Sequence, residues 1–229
     1  MPQTTLWRVL ALAFLPRLFR RDAAVLDVGC GAARPDALHL RKECSRRVAP
    51  GTGWVTWFLG LRYGCTGVEG LDCSPAMLRE AAARLPGRRF RRGDACALPH
   101  ADASFDVVTT VFTLRNFPDL QASLREMVRV LRPGGTLLVV DAFPPAHGLM
   151  RRLLALWLDR VVPLLAALVT RRDAKPYRYL AASIQQTVAV EAVAAALRDA
   201  GCEAVEVRSY TFGAAARVMA TKAGRSKRD

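Results

Sequence analysis

The segment VLDVGCGAARPD, residues 25–36, decides how the fold is read. It opens as a β-branched apolar run, suited to a buried parallel strand, with Asp27 near its end. Gly29 and Gly31 follow, as in a loop where missing side chains let the backbone approach a cofactor. A third small residue and a helix should come next, but the chain continues Ala-Ala-Arg-Pro-Asp. The third glycine of a G-x-G-x-x-G spacing is absent. Gly51-Thr52-Gly53 comes later, followed by WVTWFLGLRYG, in which Trp54, Trp57, Phe58 and Leu61 share one helical face. Removing residues 32–51 leaves strand, glycine turn, helix, strand and a terminal acid, Asp72. We therefore read 32–51 as an insertion in a cofactor loop. A competing parse makes residues 36–48 the loop's own helix and puts the extra length at 51–61. The first parse restores both the glycines and the apolar helix face.

Strand and helix signals alternate along the rest of the chain. Residues 6–20 read as a helix interrupted at Pro16. Strands are expected at 24–29, 65–72, around Phe90, at 105–112 and at 136–143. Ser74 as cap and Pro75 at the first position start a helix over 74–85, and residues 120–131 form an amphipathic helix. RPGG then turns the chain. A helix over 183–200 closes at Gly201, and two final strands, EAVEVRSY and AARVMATK, meet through a turn at Gly213. Alternation implies a parallel sheet with helices on both faces, and the short final turn implies one antiparallel strand near the end. The expectation is a single α/β domain, residues 1–229: a doubly wound, seven-stranded, mostly parallel sheet with a helical lid at 144–182. Such a sheet resembles the class I S-adenosylmethionine methyltransferases. Ligands sit at the carboxyl ends of its strands, near the order switch.

Chemistry can be placed on that scaffold. A helix N-terminus behind the loop points amides at a cofactor. Asp72 can accept both ribose hydroxyls of an adenosyl group. Asp94-Ala95, after the third strand, can pair with the adenine amine and flank the ring. Asp27 either braces the loop or touches the ligand. Together Gly29, Gly31, Asp72, Asp94 and LRPGG point to S-adenosylmethionine.

Composition narrows the partners. The chain has 229 residues, 52% of them hydrophobic, and a net charge of +14, mostly from dispersed arginines. There is no basic arm and no aromatic interleaving, so nucleic acid is not expected as a partner. The six cysteines form no C-x-x-C pair and no His cluster accompanies them, which argues against a metal site and a disulfide framework. Reduced thiols in an intracellular compartment, either cytoplasm or an organelle matrix or stroma, are the simplest account. Residues 149–173 are mostly apolar, but Asp159, Arg160 and Pro163 near their centre oppose a membrane span. They suit a lid or an interfacial helix, hence contact with a membrane surface or a biosynthetic complex.

The segment TVFTLRNFPD, residues 110–119, resembles the F-G-L-R-N-x-x-D segment of the ubiquinone/menaquinone C-methyltransferase (UbiE) family. KPYRYLAASIQ, residues 175–185, resembles that family's Y-R-Y-L-x-x-S-I. The resemblance runs from about residue 24 to the end, apart from 32–51. It implies methyl transfer from S-adenosylmethionine to a ring carbon of a lipophilic, polyprenylated quinol. By position it carries cofactor contacts to Thr52, with Gly53 beside it, and to Asp72, Asp94 and Ala95. Arg115 and Asn116 match the family's R-N pair, associated with deprotonating the ring hydroxyl. Arginine is a poor base, with a pKa above about 12, so stabilising the phenolate is the better role. Asp141 stands where the family often has Glu, as a base or a helix cap. Tyr177 and Tyr179 are candidates to line the ring pocket. Of the family's longer N-terminal region, with its Tyr-Asp pair, only the Trp7-Arg8 helix in MPQTTLWRVL resembles the end, and Ala32-Ala33 replace Thr-Gly in the loop. Other readings are a methyltransferase of this fold acting on another small molecule, a disabled relative with a damaged loop and, motivated only by charge, an RNA methyltransferase.

Overall fold

The structure, a computed structural model, describes residues 22–29, 67–144 and 188–224, with residues 148, 149, 152 and 156 between the last two. Seven strands form one sheet: β1 (Ala24–Val28), β2 (Gly67–Asp72), β3 (Arg89–Arg92), β4 (Phe105–Val111), β5 (Leu131–Ala142), β6 (Cys202–Tyr210) and β7 (Ala215–Lys222). Their spatial order is β3-β2-β1-β4-β5-β7-β6. β7 pairs antiparallel with both β5 and β6, and the remaining pairs are parallel. This is the expected α/β sheet with one reversed strand near its end. The order reverses between β1 and β4, which is where such sheets bind ligands.

Three helices are described: α1 (Pro75–Arg84), α2 (Leu120–Val130) and α3 (Val190–Asp199). Ser74 Oγ accepts the Met77 N–H at 3.5 Å and Pro75 opens α1, a start that supplies an orphan amide with an acceptor. Asp119 does the same for α2 through the Ala122 N–H at 2.9 Å. The two helices follow connections that step outward in opposite directions from β1 and β4. Right-handed crossovers therefore put them on opposite faces of the sheet.

Strand alternation separates two faces. The ladders put Asp27, Gly70, Thr109 and Leu138 on one. Leu26, Leu71, Val108, Leu137 and Val218 line the other, where Leu124 and Met127 of α2 and Val193 and Leu197 of α3 join them in one apolar cluster. Leu124, Met127 and Leu197 are fully buried, and truncating any of them to Ala costs about 2–5 kcal/mol.

Three boundaries differ from the sequence reading. β5 pairs from Leu131 rather than from 136: Leu131 bridges Phe105, and the register resumes at Val107–Thr136. RPGG is therefore a loop thrown out of a continuing ladder, with Gly134 at φ +75°. α3 begins at Val190 rather than 183, because Ala189 is extended and has no capping side chain. β4 stops at Val111, since Phe112 turns to φ +58°. The helices expected at 6–20 and after Gly53, the insertion 32–51 and most of the lid 144–182 lie outside the described residues. Positions 148, 149, 152 and 156 are helical.

Candidate functional site

The carboxyl ends of β1, β2 and β3 form one corner. Asp27 is buried, and the Thr109 hydroxyl donates to its Oδ1 at 3.2 Å across the β1–β4 ladder. This is a contact of the kind a brace makes. Gly29 leaves β1 at φ +79°, and its N–H donates to the Leu71 carbonyl at 2.7 Å. A Cβ there would lie 2.6 Å from Thr113 Cγ2. Glycine is therefore required twice over, by conformation and by close approach. Asp72, also buried, ends β2 and accepts the Ser74 N–H at 2.9 Å, which ties strand end to helix start. The Gly93 N–H donates to the Asp72 carbonyl at 3.1 Å and brings the chain after β3 alongside. Asp94 Oδ1 then accepts the Cys96 N–H at 2.9 Å, a local turn that holds Ala95 in the interior.

The carboxyl ends of β4 and β5 form the second corner. Phe112 keeps one ladder bond, its N–H to the Val140 carbonyl at 2.7 Å. The chain then winds into a 3-10 turn over Leu114–Asn116. That turn rests on Asp141, whose side chain is wholly buried. Asp141 Oδ2 accepts the Leu114 N–H at 2.8 Å. Its Oδ1 accepts the Ala142 N–H at 2.7 Å and Arg115 Nη1 at 2.9 Å. Burial pushes the Asp141 carboxyl up from its ordinary range, while the Arg115 charge and the two backbone donors pull it back. Of the two roles open for Asp141, the geometry matches a cap: it holds the start of the turn. Arg115 is mostly buried, and its Nε has no hydrogen-bond partner. Asn116 Nδ2 donates to the Thr113 carbonyl at 3.3 Å, which closes the turn on itself. Thr110 and Thr113 join their hydroxyls beneath it.

Asp27, Gly29, Asp72, Asp94 and Ala95 thus meet at one corner, and Arg115, Asn116 and Asp141 at the other. Gly29 and Thr113 touch where the corners join. Gly31, Thr52, Gly53, Tyr177 and Tyr179 lie outside the described residues. Two features escaped the sequence reading. Thr113 stands where the resembling motif has glycine, a signal that was present. The left-handed backbone of Phe112 leaves no trace in the sequence. Among the described residues, no group of three or more His, Cys, Asp or Glu is placed to hold a metal, and no helix is long and apolar enough to cross a membrane.

Known proteins share this pattern. The sequence profile of the ubiE/COQ5 methyltransferase family matches residues 2–222. A demethylmenaquinone methyltransferase of Thermus thermophilus is 39% identical over 173 residues, covering 74% of this chain and 78% of that protein. A ubiquinone/menaquinone biosynthesis C-methyltransferase of Shewanella woodyi is 37% identical over 173 residues, covering 72% of this chain and 68% of that protein. The fold matches a chain from the Haloferax volcanii complex of the Trm112 methyltransferase activator and a methyltransferase, with a TM-score of 0.66 at 20% identity, over 97% of this chain and 91% of that one. The chain belongs to the ubiE/COQ5 methyltransferase family and is an S-adenosylmethionine-dependent methyltransferase.

Proposed function

We propose that this chain methylates a ring carbon of a polyprenylated quinol, of the demethylmenaquinol or ubiquinol type. The observation that supports this most directly is the Arg115–Asp141 pair, which fixes the Leu114-Arg115-Asn116 turn where β4 and β5 end. The relatives named above, which act in quinone biosynthesis, point the same way.

The first corner fits the cofactor. The Asp72 carboxyl would take the ribose hydroxyls, its orientation set by the Ser74 N–H. Asp94 and the buried Ala95 would meet the adenine. Gly29 carries no side chain, since a Cβ there would meet Thr113 Cγ2 at 2.6 Å. Gly31, Thr52 and Gly53 are assigned to the same loop. S-adenosylmethionine supplies a methyl group already activated on a sulfonium, so the protein has only to raise electron density on the acceptor ring and align it. Alignment alone is worth about 7–11 kcal/mol.

The second corner would prepare the acceptor. A guanidinium donates and cannot accept, so Arg115 does not take the ring hydroxyl's proton. It stabilises the phenolate while that proton leaves to water. Asp141 holds Arg115 through Nη1, which leaves the other donors of the fork for an oxyanion. With both oxygens engaged inside the protein, Asp141 positions the turn and does not act as the base.

The isoprenoid tail would keep such a substrate in a bilayer. Leu149, Arg152 and Leu156 are each helical and exposed. That pattern supports peripheral contact with a membrane. Co-sedimentation with vesicles should weaken when both leucines are changed to Glu, and unchanged sedimentation would remove the contact.

The primary test is calorimetry with S-adenosylmethionine and S-adenosylhomocysteine on the full chain and on a version lacking residues 32–51, followed by turnover of a short-chain demethylated quinol. Micromolar binding and methylated product by the full chain are expected. Binding only by the shortened version would mean a disabled relative. Binding without quinol turnover would mean another acceptor.

A further inference from the structure

Asp94 and Ala95, assigned above to the adenine, open the segment that leads from β3 to β4. Between Asp94 and Asp102 its backbone bonds are local. The Ala97 N–H donates to the Asp94 carbonyl at 3.1 Å, and the His100 N–H to the Leu98 carbonyl at 2.8 Å. Such turns shape a loop without fixing it against its neighbours. That is done by α2. Asp119, Ser123, Glu126 and Arg129 follow one another at spacings of four, three and three, so they share one side of the helix start and its body. Each meets the loop. Cys96 Sγ lies 3.2 Å from Ser123 Oγ and 3.6 Å from the Asp119 carbonyl oxygen. Glu126 Oε2 accepts the Leu98 N–H at 2.8 Å. Arg129 Nη2 donates to the Leu98 carbonyl at 3.1 Å, and Nη1 donates to the His100 carbonyl at 2.9 Å and to Asp102 Oδ1 at 2.6 Å.

Arg129 also donates to both oxygens of Glu126, through Nε at 2.6 Å and Nη2 at 2.8 Å. A guanidinium has five N–H donors, and these contacts use all of them, three on the loop. Leu98 is buried and gripped by both backbone groups, its N–H by Glu126 and its carbonyl by Arg129. The pair thus stands in for a neighbouring strand. Both side chains are partly exposed, and an ion pair so placed adds little stability by itself. What the arrangement supplies is a fixed position.

We propose that Arg129 is a positioning residue for the cofactor: by fastening Leu98, His100 and Asp102 to α2, it sets where Asp94 and Ala95 face the adenine. This rests on the assignment of those two residues to the base. Asp94 Oδ1 takes the Cys96 N–H at 2.9 Å, which leaves Oδ2 for the adenine amine. A carboxylate selects an amine over a carbonyl at that ring position only if it is held to within about 0.5 Å. A loop free to shift would let the carboxylate turn to water and accept either base.

Calorimetry with S-adenosylhomocysteine and S-inosylhomocysteine, in which a carbonyl replaces the adenine amine, tests the proposal. The wild type should prefer the adenine compound by about tenfold or more, equivalent to about 1.4 kcal/mol. Arg129→Met should bind S-adenosylhomocysteine about tenfold more weakly and keep a preference of less than about threefold. Arg129→Lys should behave alike, because an ammonium has three donors and no fork. It reads the same ratio if the Met variant does not fold. Arg132→Met removes a neighbouring ion pair, Arg132 to Asp106 at 2.6 Å, that does not touch the loop, and should keep the wild-type preference. Equal weakening of both compounds with the preference intact would make Arg129 a source of stability alone and overturn the proposal. Unchanged affinities in the Arg129 variants would overturn it too. A wild type that shows no preference, or binds neither compound, removes the adenine assignment and this inference together. A wild type with the preference, beside Arg129 variants that keep it, removes the inference alone.

Discussion

Asp72 and Asp141 both end a strand of the same sheet, and both are buried, yet they are held differently. Asp72 takes a backbone N–H from its own loop, two residues on. Asp141 gathers a guanidinium and two backbone amides, two of them from a turn more than 25 residues earlier in the chain. The first arrangement aims a carboxylate by local geometry. The second joins two strands through one side chain. A carboxylate of the first kind is suited to meet a ligand, and one of the second kind to hold other groups in place.

Removing each group separates the two roles. The largest effect is expected from Asp141→Ala, which leaves Arg115 charged and unpaired in a dry site. Stability should fall by about 3–5 kcal/mol in urea unfolding. A denaturation midpoint like that of the wild type would show that the turn is held elsewhere. Next, Arg115→Met should lower kcat for quinol methylation by about 10²–10³-fold, with S-adenosylhomocysteine affinity unchanged, as for loss of a preorganised oxyanion donor. Arg115→Lys should not restore it, because a point charge does not reproduce the fork. Equal loss of cofactor affinity would merge the two corners into one. Asp72→Asn should then weaken S-adenosylmethionine binding about tenfold by calorimetry, roughly 1.4 kcal/mol. The Asn carbonyl still accepts the Ser74 N–H, so the affinity change is the readout.

The smallest expected effect concerns a third carboxylate. Glu126, like Asp141, is bonded to an arginine and a backbone amide: Arg129 at 2.6 and 2.8 Å and the Leu98 N–H at 2.8 Å. Its carboxyl lies below the ordinary value of 4.5, chiefly through the Arg129 hydrogen bonds, whereas burial raises that of Asp141. Desolvation decides the sign between two otherwise similar pairs. A lowered carboxyl stabilises the fold above its unfolded pKa and is lost as pH falls through the folded one. The stability gap between wild type and Glu126→Gln should therefore be under about 1 kcal/mol at pH 7 and close below pH 4.5. A gap that widens in acid would contradict this.

The sequence carried the first corner, at the ends of β1 to β3, better than the second, at the ends of β4 and β5. Gly29 and Asp94 each follow a strand and Asp72 ends one, with hydrogen bonds that reach a residue two positions on or the neighbouring strand. Motif spacing therefore exposes them. Arg115 and Asn116 were found through the L-R-N resemblance, but what holds Arg115 was not. The link from Asp141 to Leu114 spans 27 positions, and no local pattern encodes it. The same limit explains the boundaries that moved. Residues 183–200 keep a helical composition throughout, and only the extended backbone at Ala189 starts the helix at Val190. RPGG has the composition of a turn, but the Leu131–Phe105 bridge keeps it within a ladder.

By itself, then, the sequence determined the kinds of elements and their succession, the single reversed strand and the family, because periodicity, caps and motifs are properties of neighbouring residues. Only the tertiary structure decided that β1 and β4 lie side by side, that Gly29 abuts Thr113, that Asp141 carries the turn of Arg115, and that Phe112 adopts a left-handed backbone. Each of these joins residues far apart in the chain or results from such a contact. It follows from burial and hydrogen bonding between segments, which no single segment contains.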